Sequence, residues 1–255
     1  MRVLWVLAHP NPASLNAAIR TRAVARLRAA GHEVVESDLA AMGWDPRASA
    51  ADVRLTPRPG EPLSALARRG VEAGALAPDI AEEHRKIRWA DTIVLQFPLW
   101  WYGPPALLKG WLDRVLVDGF AIGDPDPATG YPVIYGAGAA LAGRRALIVT
   151  TAGDPASALG PRGIDGEIDE LMFPITHGAL HYAGIRAHRT HLIAGVHGLG
   201  ADGIEAEILR LLARLDRLED EPPIPYRELA DGDYDAELRL RDGLEGHIRP
   251  DAPEV

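Results

Sequence analysis

Three short segments, 9–16, 98–102 and 150–153, hold residue types that could bind a flat, partly anionic ligand. The first reads His9-Pro10-Asn11-Pro12-Ala13-Ser14-Leu15-Asn16 and runs into a helix start at Ser14. Unpaired N–H groups and the helix dipole at such a start favour an anion such as phosphate. Ser14 as an N-cap and nothing more fits equally well, and His9 also reads as a satisfied core histidine. The segment has no Gly-x-Gly-x-x-Gly and no Walker pattern, so a nicotinamide dinucleotide is not held there in the usual way. The second segment, Pro98-Leu99-Trp100-Trp101-Tyr102, sets three consecutive aromatics between prolines. Their faces can stack on a planar heterocycle or a planar substrate, and the alternative is a hydrophobic corner or dimer contact. The third, Thr150-Thr151-Ala152-Gly153, offers two hydroxyls and a glycine that lets backbone come close to a ligand, although such a turn is also common chain chemistry.

Other chemistries are disfavoured. His177 and His181 stand four apart on a predicted helix, with His188, His191 and His197 following, but no Glu follows His177 and no carboxylate stands at ligand spacing. They read as structural histidines, and no metal is assigned. There is no Gly-x-Ser-x-Gly elbow and no cysteine, which removes thiolate catalysis, disulfides and Cys-ligated metals together. With 27 basic against 36 acidic residues the formal charge is -9, so a nucleic-acid backbone or an anionic membrane would repel the chain at long range. The opening apolar run is too short for a secretion signal, and the uncharged stretch 92–108 is broken by Pro98, Pro104 and Pro105. A cytoplasmic protein with no integral membrane segment and no nucleic-acid partner is expected.

The elements that must position these segments follow from hydrophobic period. Residues 2–8 are a near-continuous apolar run, 14–30 carry Leu15, Ile19, Val24 and Leu27 at helical spacing, Gly31 ends the helix, and 33–37 form a short β-branched strand. Residues 41–77 mix prolines with Ala-rich pieces and read as an excursion that covers something rather than as a core layer. Then come a helix over 78–90, a strand over 91–97, a helix over 105–117, a Gly- and Pro-rich loop over 118–143 and a strand over 145–151. A long helix over 164–183, a fifth strand over 187–194 and an amphipathic helix over 201–220 complete the alternation. Five strands alternating with helices make a doubly wound α/β sheet, and the count favours the flavodoxin-like order 2-1-3-4-5 with helices on both faces. In that order the ligand belongs at the switch point between strands one and three, beside segments 9–16 and 98–102. Residues 1–221 are expected to form that domain, and 222–255 a C-terminal arm or partly disordered tail.

Taken together, these segments resemble the NAD(P)H:quinone oxidoreductases, the DT-diaphorase-like family, over roughly residues 2–225. The carriers are Val6-Leu7-Ala8-His9 with Ser14-Leu15-Asn16, Val34-Val35-Glu36-Ser37-Asp38-Leu39, Gln96-Phe97-Pro98-Leu99 with Trp101-Tyr102-Gly103, and Pro105-Ala106-Leu107-Leu108-Lys109-Gly110-Trp111. Thr150-Thr151-Ala152-Gly153, Gly163-Ile164-Asp165-Gly166 and Pro174-Ile175-Thr176-His177-Gly178 continue the series in order. The resemblance implies a flavin, FAD ahead of FMN, that takes hydride from NADH or NADPH and passes it to a quinone in ping-pong fashion, in a homodimer. It implies that His9, Ser14, Leu15 and Asn16 hold the flavin's phosphate side. It implies that Pro98, Leu99, Trp100, Trp101 and Tyr102, with Thr150, Thr151, Ala152 and Gly153, frame the ring, and that Trp101, Tyr102 and Tyr182 face the substrate. The family's Tyr and His in the loop after strand four are replaced here by Leu159 and Asp165, and Asp165 reads either as the candidate catalytic group or as only a helix cap. The alternatives are an ancillary subunit of a potassium-efflux antiporter and a flavin-less ligand-binding relative.

Overall fold

The computed structural model describes residues 1–125, 127 and 132–249. Six residues of the 222–255 segment and part of the 118–143 loop therefore lie outside the described residues. The apolar runs form the parallel strands β1 (Arg2–Leu7), β2 (Glu33–Asp38), β3 (Thr92–Pro98) and β4 (Arg145–Thr151), followed by two short pieces, β5 (Arg186–Ala187) and β6 (His191–Ile193). The sheet order is β2-β1-β3-β4-β5, with β6 also paired to β4, and every pairing is parallel. This is the flavodoxin-like order, and its chain reversal falls between β1 and β3.

Helix α1 (Leu15–Ala29) and helix α7 (Ala201–Leu215) cover one face, packing Ile19, Val24, Leu27, Ile208, Leu211 and Leu215 against Trp5, Val94 and Val149. Helices α3 (Pro78–Trp89) and α4 (Ala106–Val115) belong to the other face, where Ile80, Ile87, Leu108 and Trp111 meet Leu4, Val6, Ile93 and Leu95. The excursion over 41–77 joins this second core instead of merely covering it. It contains α2 (Leu63–Glu72) and supplies Trp44, Val53, Leu66 and Leu76. Arg114 of α4 fastens it, with its guanidinium 4.4 Å over the Trp44 ring and paired to Asp52 at 3.0 Å and Asp79 at 2.8 Å. The backbone of Pro46 lies so close to α4 that a Cβ on Gly110 would stand 2.1 Å from its carbonyl oxygen. Gly110→Ala is expected to cost about 1–3 kcal/mol or more by prising the excursion off α4. An unchanged denaturant midpoint in that variant would show that the loop moves aside freely.

Two regular elements expected from the sequence are broken. The long helix over 164–183 is instead α5 (Ile168–Leu171), α6 (Phe173–Ile175) and a π-helical turn over Thr176–His181. Pro174 has no N–H to continue α5, and the chain re-forms with a wide turn in which Tyr182 N–H donates to the His177 carbonyl at 3.0 Å. The fifth strand carries an extra residue. Ala187 pairs with Ala146 and His191 with Val149, so three residues stand opposite two, as in a bulge. Asp169 holds this step by accepting Thr190 N–H at 2.9 Å. Beyond Glu221 the chain packs onto the domain, with Ile224 N–H donating to the Ala187 carbonyl and a Tyr226–Thr176 hydroxyl bond of 2.8 Å.

Candidate active site at the carboxyl ends of the strands

Contacts between side chains bring the predicted segments together at one end of the sheet. Ser14 caps α1 by accepting Ala17 N–H at 3.2 Å, and the first turn of that helix carries no acidic residue. The remaining first-turn N–H groups have no intrahelical acceptor, so the helix start keeps its attraction for anions. Leu15 turns onto the apolar core beneath it. His9 Nδ1 lies 3.0 Å from the Asn11 amide nitrogen and 3.2 Å from the Asn11 carbonyl oxygen, so this side of the ring is tied to its own loop. The His9 ring stands 6.1 Å from that of Trp100, joining the first loop to the second.

A buried polar chain lies under this end. Trp5 Nε1 donates to Gln96 Oε1 at 2.8 Å, Gln96 Nε2 donates to the Asn16 carbonyl at 2.8 Å, and Asn16 Nδ2 donates to Thr151 Oγ1 at 2.8 Å. Asn16 is thereby a bracket between the first and third loops. Pro98 closes β3 opposite Thr151, and Leu99 N–H donates to the Thr151 carbonyl at 2.8 Å. Thr150 Oγ1 is buried and has no hydrogen-bond partner among the described residues, while Ala152 N–H is taken by the Ile193 carbonyl. The glycine at 153 has a different reason from the one its position suggests: a Cβ there would stand 2.7 Å from the His197 ring. His197, which the sequence offers only as one of a series of structural histidines, is a residue of this end. Its only signal is its place in a glycine-rich loop after the last strand.

The aromatic loop stands out from the surface. Trp100 and Gly103 exchange two backbone hydrogen bonds, of 3.0 and 3.1 Å, which forces Trp101 and Tyr102 into left-handed backbone, at φ of 50° and 58°. Trp101 is 98% exposed, and Trp100 and Tyr102 are each 46% exposed. Tyr102 Oη donates to Asp165 Oδ1 at 2.8 Å, a link between loops that the sequence did not disclose. Tyr182 stands elsewhere. It lies edge-on to Tyr135 at 5.1 Å and lines a cavity of about 460 Å³ with Pro104, Lys109 and Ile175.

This arrangement has close counterparts. A model of the flavodoxin-like fold family matches residues 1–218. The chain is 37% identical to a ribosyldihydronicotinamide dehydrogenase-like protein of Penicillium crustosum, over 92% of this chain and 87% of the relative. It is 34% identical to rat NAD(P)H dehydrogenase [quinone] 1, over 88% and 80%. The chain belongs to the NAD(P)H:quinone oxidoreductase family. Within that family, a crystal structure of a candidate quinone reductase from Klebsiella pneumoniae is similar at a TM-score of 0.90 and 38% identity, covering 98% of this chain and 100% of that one. The match to the oxidoreductases thus extends past residue 218 into the C-terminal segment. Among the described residues no helix is long and apolar enough to cross a membrane.

Proposed function

We propose that this member of the family is a flavin-dependent NAD(P)H:quinone oxidoreductase, with FAD as the flavin and the open aromatic ledge as its site. The observation that carries the reading is the coincidence, at one end of a parallel sheet, of an acid-free helix start and an exposed Trp-Trp-Tyr loop in a chain similar to quinone reductases. The residues present fit a flavin. The helix start and the neighbouring imidazole of His9 suit a phosphate, and Thr150 offers a buried hydroxyl without a partner among the described residues. When bound, the flavin supplies two-electron hydride chemistry between a nicotinamide and a quinone. The protein's part is to hold the ring and keep water from it.

In this reading His9, Ser14, Leu15 and Asn16 serve the phosphate side. Pro98, Leu99 and Trp100, with Thr150, Thr151, Ala152 and Gly153, frame the ring, and Trp101 and Tyr102, with Asp165 behind Tyr102, serve the substrate, while Tyr182 stands apart from them in the single chain. Residues 1–221 form the flavin domain, and the 222–255 segment serves as its C-terminal arm, of which the described residues as far as 249 pack onto it. A ledge with an aromatic wall this exposed is completed by a second copy of the chain, in a homodimer with one pocket used by donor and acceptor in turn. Release and identification of the bound chromophore, with NADH and NADPH oxidation assayed against a menadione-like acceptor, tests the whole reading; a protein that stays colourless with added FAD or FMN defeats it. Because Trp101 is fully exposed in the single chain, Trp101→Ala is expected to change folding stability by less than about 0.5 kcal/mol. The same change is expected to raise the acceptor KM by about tenfold, the loss of one aromatic stacking contact. Unchanged steady-state kinetics would remove Trp101 from the pocket.

A further inference from the structure

The Tyr102–Asp165 bond joins residues 63 apart in sequence, at a place where packing does not demand it. Tyr102 is half exposed and its backbone is left-handed, a conformation that costs a non-glycine residue about 1–2 kcal/mol. A phenol has a single hydrogen, and here Asp165 takes it. Towards the ledge the Tyr102 oxygen can therefore only accept a hydrogen bond. Ionising the phenol would set its charge against Asp165 and also against Asp154, and the Tyr102 pKa is accordingly raised, chiefly by the Asp165 hydrogen bond. Tyr102 is thus a poor acid and a durable neutral acceptor.

We propose that Asp165 is a positioning residue that fixes Tyr102 as a hydrogen-bond acceptor on the ledge, and that the pair selects hydride donors carrying a carboxamide N–H, as dihydronicotinamides do. This rests on the oxidoreductase reading above and adds a specificity element to it. A carboxamide can donate to the fixed oxygen, whereas a ketone or ester at the same ring position presents only an acceptor and meets oxygen with oxygen. One such hydrogen bond corresponds to a preference of about five- to tenfold.

The test uses the flavin-loaded protein with N-benzyl-1,4-dihydronicotinamide and with its 3-acetyl counterpart, which lacks the N–H. The wild type is expected to prefer the amide through KM. Tyr102→Phe should raise the amide KM about five- to tenfold and, by removing the opposed oxygen, lower the acetyl KM. Asp165→Ala should narrow the preference by a different route, lowering the acetyl KM because the freed phenol O–H can donate to the acetyl carbonyl, while Asp165→Asn, whose amide oxygen still accepts the phenol hydrogen, should retain most of the preference. A second readout needs no turnover: the tyrosinate absorbance change assigned to Tyr102, by its loss in Tyr102→Phe, should move to lower pH in Asp165→Asn. The inference is overturned if Tyr102→Phe discriminates between the two donors as the wild type does, or if the Tyr102 titration is the same with Asp and Asn at 165. A wild type that oxidises neither donor would instead overturn the oxidoreductase reading and the selectivity with it, while the phenol titration would still report whether the pair exists.

Discussion

Glu83→Ala is expected to remove about 3–5 kcal/mol of folding stability, the cost of stranding a buried charge. Glu83 is wholly buried, and its carboxylate accepts from Lys86 Nζ at 2.7 Å, from the Ser37 hydroxyl at 2.8 Å and from Trp111 Nε1 at 2.9 Å. One carboxylate thereby ties α3 to β2 and α4. Without it the nearly buried Lys86 ammonium keeps only the Ser37 hydroxyl and, at 3.3 Å, the Glu36 carbonyl. Since a domain of this kind has about 5–15 kcal/mol in all, the variant should be marginal at room temperature. Replacing both partners, as Glu83→Met with Lys86→Met, should recover much of the loss, because no charge is then left unpaired. Urea unfolding of the single and double variants checks this. A single variant within about 1 kcal/mol of the wild type would mean that water reaches Lys86 and the cluster is not sealed.

Acid is expected to weaken the fold well above the range in which carboxylates titrate. Burial lowers the pKa of His84 to about 4, of His177 to about 4 and of His191 to about 3. The reasons are visible in the packing. His84 stacks on Phe120 at 3.5 Å, His177 lies face to face with Phe173 at 4.5 Å, and neither ring nitrogen of His191 has a hydrogen-bond partner among the described residues. Each is neutral when folded and takes a proton near pH 6.5 when unfolded, so the unfolded state binds more protons below that pH. Stability is therefore level above about 6.5 and falls as pH drops towards 4, by on the order of 2–3 kcal/mol for each histidine. Denaturant midpoints between pH 7.5 and 4.5 should decline steadily, and His191→Leu should flatten part of the slope. A midpoint constant down to pH 4.5 would show these rings protonated in the native protein.

The sheet was legible because β1, β3 and β4 are apolar on both faces and each is followed by a helix-period segment, a pattern that parallel crossovers require. The same logic placed segments 9–16, 98–102 and 150–153 at one end, where Asn16 meets Thr151 and His9 meets Trp100. What escaped was decided by contacts distant in sequence. The period of 164–183 is helical, but Pro174 interrupts it, and the ring of His177 is committed to Phe173 and Tyr135. The extra residue in the fifth strand is stabilised by Asp169, some twenty positions earlier. Prolines made 41–77 look like a surface excursion, yet Trp44 and Leu66 are core residues because Arg114 and the bare backbone of Gly110 give the loop a seat. In the candidate site, Tyr102 and Asp165 were each named, but their bond was not, since no periodicity relates residues 63 apart.

Trp101 also gives the molecule an internal light source at the place of greatest interest. Of the six tryptophans, Trp5, Trp44 and Trp111 are buried and Trp89 is partly covered, so the long-wavelength edge of the emission belongs mainly to Trp101, with a lesser share from Trp100. A blue shift and loss of acrylamide quenching at that edge would announce that something has closed over the loop, whether a second copy of the chain or a planar ligand, and dilution would tell the two apart.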